Sequence, residues 1–497
     1  MGSESSRAVA DAADARDART WWASSGPISP SPSWSAACTK LSTLTTGGSS
    51  AHAHKPARNG NARGQQHSSG DLCVPKSGIW GVEEREEGSR GMVQQHGGIQ
   101  SNIELLDFDF EKFCSVSLSN LNVYGCLVCG KYFQGRARSS HAVTHSVDAG
   151  HHVFINLHTE KVYCLPDGYQ VSDPSLDDIK SVLNPRFTAA QIEQFDHSKQ
   201  WARALDGTDY IPGMVGLNNI KDTGYVNVII QSLMRVTPLR NFFLLPANYT
   251  PASHSPAAQP TALVRRFGEL VRKVWHPRNF KGQVSPHEFL QAIMLASKKR
   301  FLIGQQSDPL DLLSWLLNTL HADLAKSAAA AAKAAGKKAH HISSIIQECF
   351  QGELEVIKEK FDGQTVTEVV RPHPARMRYR ITRLPRYLIL HMKRFKKNNF
   401  FIEKNPTLVN FPVKNLELKD YLPLEGVEGG GKLRSKYDLI ANIVHDGKPG
   451  EGSYRAFVQR KAEEAWYEMQ DLHVTETLPQ MVALSEAYIQ IYEQQQD

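Results

Sequence analysis

The sequence predicts an α+β protein, with a small metal-stapled domain ahead of a larger one in which helices come first and strands last. Three observations carry that expectation. Cysteines and histidines cluster between positions 114 and 164. Apolar residues recur at three- and four-residue steps through 225–236, 261–275 and 305–321, the period of helices with one buried face. Beyond 384, shorter apolar runs bounded by Gly/Pro turns read as strands.

At 497 residues the chain has room for two or three domains and a sizeable core. Its net charge of +6, spread over the length, reads as solubility rather than a nucleic-acid footprint. Seven unevenly spaced cysteines do not form a disulfide framework and suit a reducing compartment with a metal site. No run reaches the length of a membrane span, and the first residues lack a basic-then-apolar signal pattern, so a soluble intracellular protein is expected.

Residues 1–100 are rich in Ser, Ala, Gly and His without periodicity. Such a composition cannot bury enough apolar surface to offset its ordering entropy, so the segment is expected to be disordered, with Trp21, Trp22, Cys38 and Cys73 isolated in it. The next unit, 101–200, holds Cys126-Leu-Val-Cys129 followed by His145 and His151. Cys-x2-Cys places two sulfurs on one tight turn, and two imidazoles complete a tetrahedron with no open position, as in a structural zinc site. A redox reading of the pair needs a strand–helix context, and here a Gly-Lys-Tyr-Phe turn follows. Cys114, His141, His152 and Cys164 lie close in sequence. From Asp173 to Ala204 the mixture of acidic and apolar residues reads as a helical linker.

The larger domain spans 211–495 and opens on Gly216–Val236. Asp222 and Thr223 are good helix starters, and Pro238 stops the helix that follows. A loop feeding such a helix is a common seat for a nucleophile, because free N–H groups and the positive dipole end stabilise an anion. Gly224 stands there and has no side chain. Thr261–Trp275 is an amphipathic helix. Another begins at 284–290, with Ser285 as cap, Pro286 in the first turn and Glu288 where a capping box wants its acid. Leu312, Leu313, Leu316, Leu317 and Leu320 mark a core-facing helix, after which the Ala- and Lys-rich 325–341, helix-favouring as an isolated piece, reads as a loose insertion. His287 and His321 read as ordinary helix histidines, and Cys349 as a buried thiol before a strand. Leu384–Phe395 reads as a buried strand that absorbs the basic group Lys393–Lys397, leaving no need for an import-signal reading. Val409–Pro412 reads as the next strand, Tyr437–Gly447 and a strand from Tyr454 as a pair, and Ala487–Tyr492 as the closing strand.

Gly216, Leu217, Asn219, Thr223, Tyr225, Asn227 and Gln231 match the cysteine box of the ubiquitin-specific proteases, and the chain resembles that family. The resemblance extends to Gln305–Asp308, to Leu384–Phe395 and to the histidine box, here Gly452-Ser453-Tyr454. It implies a papain-like ubiquitin-protease fold with a helical thumb, a β-sheet palm and fingers that are shortened between Gln351 and Arg380. It puts Gly224, Ser453 and Gln470 at the positions of nucleophile, base and orienting acid, with Asp471 next to the last and the oxyanion-type Asn219 retained. A serine hydroxyl cannot take a proton from a thiol near neutral pH, so no catalytic residue is expected.

The 101–200 unit resembles the ubiquitin-protease type of zinc finger, with Cys126, Cys129, His145 and His151 carrying over as one complete site. A second site on Cys114 and His141 would need the positions held by Ser117 and Gln134; the alternative is a buried thiol and a hydrogen-bonded histidine. Where tail-binding fingers carry Trp and Cys-Gly-Arg, this chain has Tyr124 and Gln134-Gly135-Arg136, which implies lost ubiquitin binding and a surface for docking proteins.

The runs Asn218–Lys221, Lys397–Thr407, Gly452–Tyr454 and Ser485–Ile491 resemble the catalytically inactive, splicing-associated branch of the family. That resemblance implies a nuclear scaffold that assembles or stabilises the spliceosomal tri-snRNP. Its partners would be snRNP proteins, nucleic acid would be met at most indirectly, and Zn2+ would be structural. The alternatives are a ubiquitin-binding protein or a residual cysteine-type deubiquitinase, the latter needing another thiol–imidazole or Ser453–His445 pairing.

Overall fold

The computed structural model describes residues 106–496 apart from 252–255, 257, 335, 337–342, 361–374, 399 and 423–433, together with 19–20. The expected disorder of 1–100, and most of the tail of the Ala/Lys-rich run, lie outside the described residues.

The first unit is a five-stranded sheet with one helix. Strands β1 (Val123–Cys126), β2 (Tyr132–Gln134), β3 (Val153–Asn156), β4 (Val162–Cys164) and β5 (Gln170–Val171) lie in the order β2-β1-β3-β4-β5, and α1 (His141–Asp148) connects β2 to β3. The segment read as a linker folds into α2 (Asp177–Leu183) and α3 (Ala189–Gln194). Ile179, Val182 and Leu183 of α2 share a core with Leu106, Phe108, Val123 and Ile155, so this half of the linker belongs to the first unit. Thr188 caps α3 in a full capping box with Gln191.

The helical half of the second unit is α4 (Gly224–Leu233), α5 (Thr237–Leu244), α6 (Ala262–Trp275), α7 (His287–Ala296), α8 (Pro309–Ala334) and α9 (Ile345–Phe350). The leucines that predicted α8 are buried against α4 and α6. That helix runs on through the expected insertion as far as Ala334, because alanine and lysine are good helix formers and the buried Ser327 hydroxyl anchors it to the carbonyl of Ala258. Pro238 occupies the first turn of α5, where its missing N–H costs nothing, while α4 has already ended at Leu233. The capping box expected at Ser285 does not form. The Ser285 N–H goes to Asp109, its hydroxyl has no partner, and Glu288 pairs with Arg266 at 2.9 Å. Cys349 is buried in α9, just ahead of the Glu353–Lys360 strand, and burial pushes its thiol up to about 12.

The sheet half has strands β6 (Tyr387–His391), β7 (Lys436–Asp446), β8 (Ser453–Arg460), β9 (Ala465–Gln470), β10 (His473–Thr477) and β11 (Ala487–Gln494), all antiparallel in the order β6-β11-β7-β8-β9-β10. The last strand forms as expected and is interior, between β6 and β7. Leu384–Phe395 supplies the five-residue β6 and then breaks; Arg394 turns inward and donates to the carbonyls of Ala487, Asn405 and Thr407. Val409–Pro412 forms no strand, although Phe411 and Val413 pack on the sheet and Val413 accepts one bond from Leu439 N–H. Glu353–Lys360 and Ala375–Arg383 pair as a hairpin where the shortened fingers were expected.

Candidate functional site: a cysteine–histidine cluster and the helix start at Gly224

Cys126 ends β1 and Cys129 follows in a tight turn, closed by Gly130 at φ +71° with its N–H on the Cys126 carbonyl. α1 delivers His145, and the turn after it delivers His151 just ahead of β3. The four donor atoms lie within 4.8 Å of one another. The Cys126 Sγ to His151 Nδ1 distance is 3.6 Å, Cys129 Sγ to His145 Nε2 3.3 Å, and His145 Nε2 to His151 Nδ1 3.1 Å. A zinc tetrahedron with ordinary Zn–S and Zn–N bonds has S···N edges of about 3.6 Å and N···N edges of about 3.3 Å. The donor set and its spacing therefore fit a closed zinc site. Burial, aided by His151 and Lys131, lowers the pKa of His145, and burial likewise lowers that of His151, so both rings favour the neutral form a metal needs. Burial pushes the Cys126 thiol up to about 12, a state that a bound dication would reverse. Phe133 stacks on His145 at 4.1 Å and fixes the ring.

Cys114 and His141 do not join such a group; among the described residues the four donors above form the one set of this kind. The buried Cys114 sulfur accepts N–H bonds from Ser117 and Gln134, and Ser117 Oγ donates to Gln134 Oε1 at 2.8 Å. A hydrogen-bonded knot thus stands where a second metal was considered. His152 is engaged with the Leu165 carbonyl. Tyr124 is buried against Tyr163, and Arg136 lies over the Tyr163 ring at 4.3 Å while donating to the Gly168 carbonyl, so the altered tail pocket is already engaged with itself.

The second place of interest is the N-terminus of α4. Gly224 is its first residue, and Thr223 ahead of it does not cap through its side chain. Thr223 Oγ1 instead accepts the Ile220 N–H, and Asn219 Oδ1 accepts the Thr223 N–H. Asp471 reaches the same spot from the end of β9: its carboxylate accepts from Asn219 Nδ2 at 2.9 Å and from Asn227 Nδ2 at 2.8 Å. The route depends on Gly216, whose backbone lies so close to Leu472 that a Cβ would fall 2.7 Å from the Leu472 carbonyl oxygen. A Cβ on Gly224 would have ordinary room, 3.4 Å from both Asn219 Nδ2 and Asp471 Oδ1. The sequence placed Asp471 only as the neighbour of Gln470; its hold on both asparagines is a long-range contact with no local signal.

Ser453 opens β8 and Gln470 closes β9; Gln470 Nε2 donates to Ser453 Oγ at 3.3 Å. Gln306 Nε2 donates to the Gly452 carbonyl, and Asp308 accepts the Tyr488 hydroxyl, so the 305–308 stretch braces this loop and the sheet. His445 is buried between Phe395 and Tyr454, and Gly452 is the residue whose lack of a Cβ makes room for its ring. His287 meets Gln291 and Phe110, and His321 meets Ser344, as helix histidines do.

The family described as ubiquitin carboxyl-terminal hydrolase matches residues 215–492. The chain belongs to the ubiquitin carboxyl-terminal hydrolase family. The zinc finger found in ubiquitin hydrolases and other proteins matches residues 114–176, which contain all four donors. Among members of the hydrolase family, ubiquitin carboxyl-terminal hydrolase 39 of Homo sapiens is 46% identical over 454 residues, covering 79% of this chain and 78% of that protein. The probable mRNA-splicing protein ubp10 of Schizosaccharomyces pombe is 37% identical over 447 residues, covering 79% and 87%. The crystal structure of an essential yeast splicing factor superposes with a TM-score of 0.61 at 26% identity, covering 79% of this chain and 98% of that one. The hydrolase fold is thus this chain's fold: a zinc-finger unit, a helical half and an antiparallel sheet.

Proposed function

We infer that this chain is a non-catalytic member of its family that serves pre-mRNA splicing in the nucleus as a protein scaffold, assembling or stabilising the tri-snRNP through contacts with snRNP proteins. The observation that carries the non-catalytic half is Gly224 at the first position of α4, with the Asp471 carboxylate beside it. A cysteine hydrolase needs a thiolate there and an imidazole to take its proton. Ser453 and Gln470 stand where base and orienting acid would, and neither accepts a thiol proton near neutral pH. The buried Cys349 offers no substitute, its thiol held far above neutral inside α9.

The splicing half rests on its relatives, which include a probable mRNA-splicing protein and an essential splicing factor. The finger contributes as a rigid, zinc-held module with its tail pocket turned inward, so docking of folded proteins suits it better than capture of a free ubiquitin tail.

Two assays test the reading. Incubation with a fluorogenic ubiquitin C-terminal substrate and with ubiquitin vinyl sulfone is expected to give neither turnover nor adduct, and either product refutes the non-catalytic assignment. A pull-down from nuclear extract is expected to recover tri-snRNP proteins. Their absence, with splicing intact after depletion, refutes the scaffold role.

A further inference from the structure

Away from the finger and from Gly224, a small cleft opens where the segment after α3, the ends of α4 and α6, and the β8–β9 turn meet. Its walls include Arg235, Arg240, Arg460, Lys461, Asp196 and Trp275. Three of the four cations have a carboxylate of their own. Arg240 holds Asp196 with two bonds of 2.7 and 2.8 Å, Arg460 pairs with Glu463 at 2.8 Å, and Lys461 with Glu493 at 2.6 Å. Among the described residues, Arg235 has no carboxylate within ion-pair distance. It donates to the Gly213 carbonyl at 2.6 Å and to the Met214 sulfur, a weak acceptor, at 3.4 Å.

Arg235 and Trp275 are each only 6% exposed, and the Nε–H of the one and the indole Nε1–H of the other have no acceptor. The guanidinium of Arg235 lies over the Trp275 ring at 5.0 Å and that of Arg240 at 4.5 Å, so two cations share one aromatic. Burial and the neighbouring Arg240 together pull Arg235 down to about 9. A buried cation with no carboxylate in direct contact, which Asp196 favours only from a distance, beside two unsatisfied donors is an arrangement that lacks one acceptor.

We propose that this cleft binds a small monovalent anion, taken up between Arg235 Nε–H and Trp275 Nε1–H. A water would satisfy the two donors and leave the guanidinium uncompensated, whereas an anion does both. The Asp196 carboxylate in the same wall disfavours a dianion, so the ligand chemistry is a halide or a single carboxylate group. Because the cleft joins the segment after α3 to both halves of the second unit, an occupied site ties that segment to the domain and raises its stability by linkage.

The test uses the full chain, purified in sodium gluconate and melted at fixed ionic strength in sodium bromide, chloride, formate or sulfate. Bromide and chloride, or formate, are expected to raise the melting temperature saturably by about 2–4 °C over gluconate. A rise in the halides alone identifies a free ion, and one with formate alone identifies a carboxylate. Arg235→Met is expected to abolish the difference. Crystals grown in bromide or in formate supply a second reading that does not depend on the variant folding: an anomalous peak, or formate density, within hydrogen-bond reach of Arg235 and Trp275. Identical melting in every salt, a shift that survives Arg235→Met, or only water at that position overturns the proposal.

Discussion

Ser453 and His445 project to opposite faces of the central sheet. In the β7–β8 ladder His445 is opposite Tyr454 and Asp446 is opposite Ser453, and directly opposed residues share a face. The one hydroxyl–imidazole pairing that the sequence left open is therefore excluded by register. His445 is instead a core residue, its pKa lowered by burial and by Lys404, whose ammonium donates to its carbonyl.

On the proposed non-catalytic reading, Gly224→Cys supplies a thiol without supplying a base. The added Cβ finds normal contact distances at 3.4 Å, so the variant is expected to fold with a stability change within about 1 kcal/mol. Its sulfur would sit by the Asp471 carboxylate, which opposes thiolate formation, and would find Ser453 where an imidazole is required. Intact-mass analysis after ubiquitin vinyl sulfone is expected to show no adduct above the unmodified chain. Efficient labelling of this single variant would mean that another group near Gly224 serves as base.

One zinc per chain is the expected stoichiometry by elemental analysis. Cys126→Ser or His145→Ala is expected to reduce it to near zero and to unfold 114–176, since the free energy of metal binding is folding free energy in such units. Cys114→Ser is expected to keep the metal and to cost about 1 kcal/mol, the worth of replacing a sulfur that accepts two backbone N–H bonds. Loss of zinc from the Cys114 variant would restore that residue to the ligand set.

What was legible in the sequence was local. The leucine spacing of α8 and the Cys-x2-Cys turn each encode their structure within a few residues, and both formed. What was hidden depends on partners far along the chain. Ser285 and Glu288 had the spacing of a capping box, but Asp109 and Arg266 captured their groups first. Asp471 reaches Asn219 and Asn227 only because Gly216 lets two backbones approach, across more than half of the domain's sequence. The Ala-rich continuation of α8 has helix propensity that composition alone leaves open, and a distant contact, Ser327 to the Ala258 carbonyl, decides it.

His276 gives the fold an acid sensitivity that can be separated from that of the proposed zinc ligands. Burial holds its pKa at about 4 against an ordinary 6.5, so the folded chain keeps the ring neutral where the unfolded chain protonates it. Its contribution is therefore complete above pH 6.5 and is lost progressively as pH falls towards 4, by up to roughly 3 kcal/mol. Urea midpoints of the parent and of His276→Gln, compared from pH 7.5 to 4.5, are expected to converge as pH falls. Parallel curves would show that His276 titrates alike in both states.

The finger is held to the helical half by a part-buried ion pair. Asp109 Oδ1 meets Lys273 Nζ at 2.8 Å and its Oδ2 accepts the Ser285 N–H at 2.8 Å, while Lys273 also donates to the Phe108 carbonyl. Burial works against the Lys273 charge, but Asp109 and Glu288 outweigh it and leave the pKa raised. Asp109→Ala strands that ammonium and the Ser285 N–H together, and is expected to cost about 2–3 kcal/mol. Asp109→Ala with Lys273→Met is expected to cost less than the single change, because no unpaired charge remains. Hydrogen exchange should rise in 106–110 and 273–285 in the single variant, with zinc content unchanged. Equal destabilisation in single and double variants would show that packing of Phe108 on Phe280, at 5.4 Å, and not the charge pair, holds the two units together.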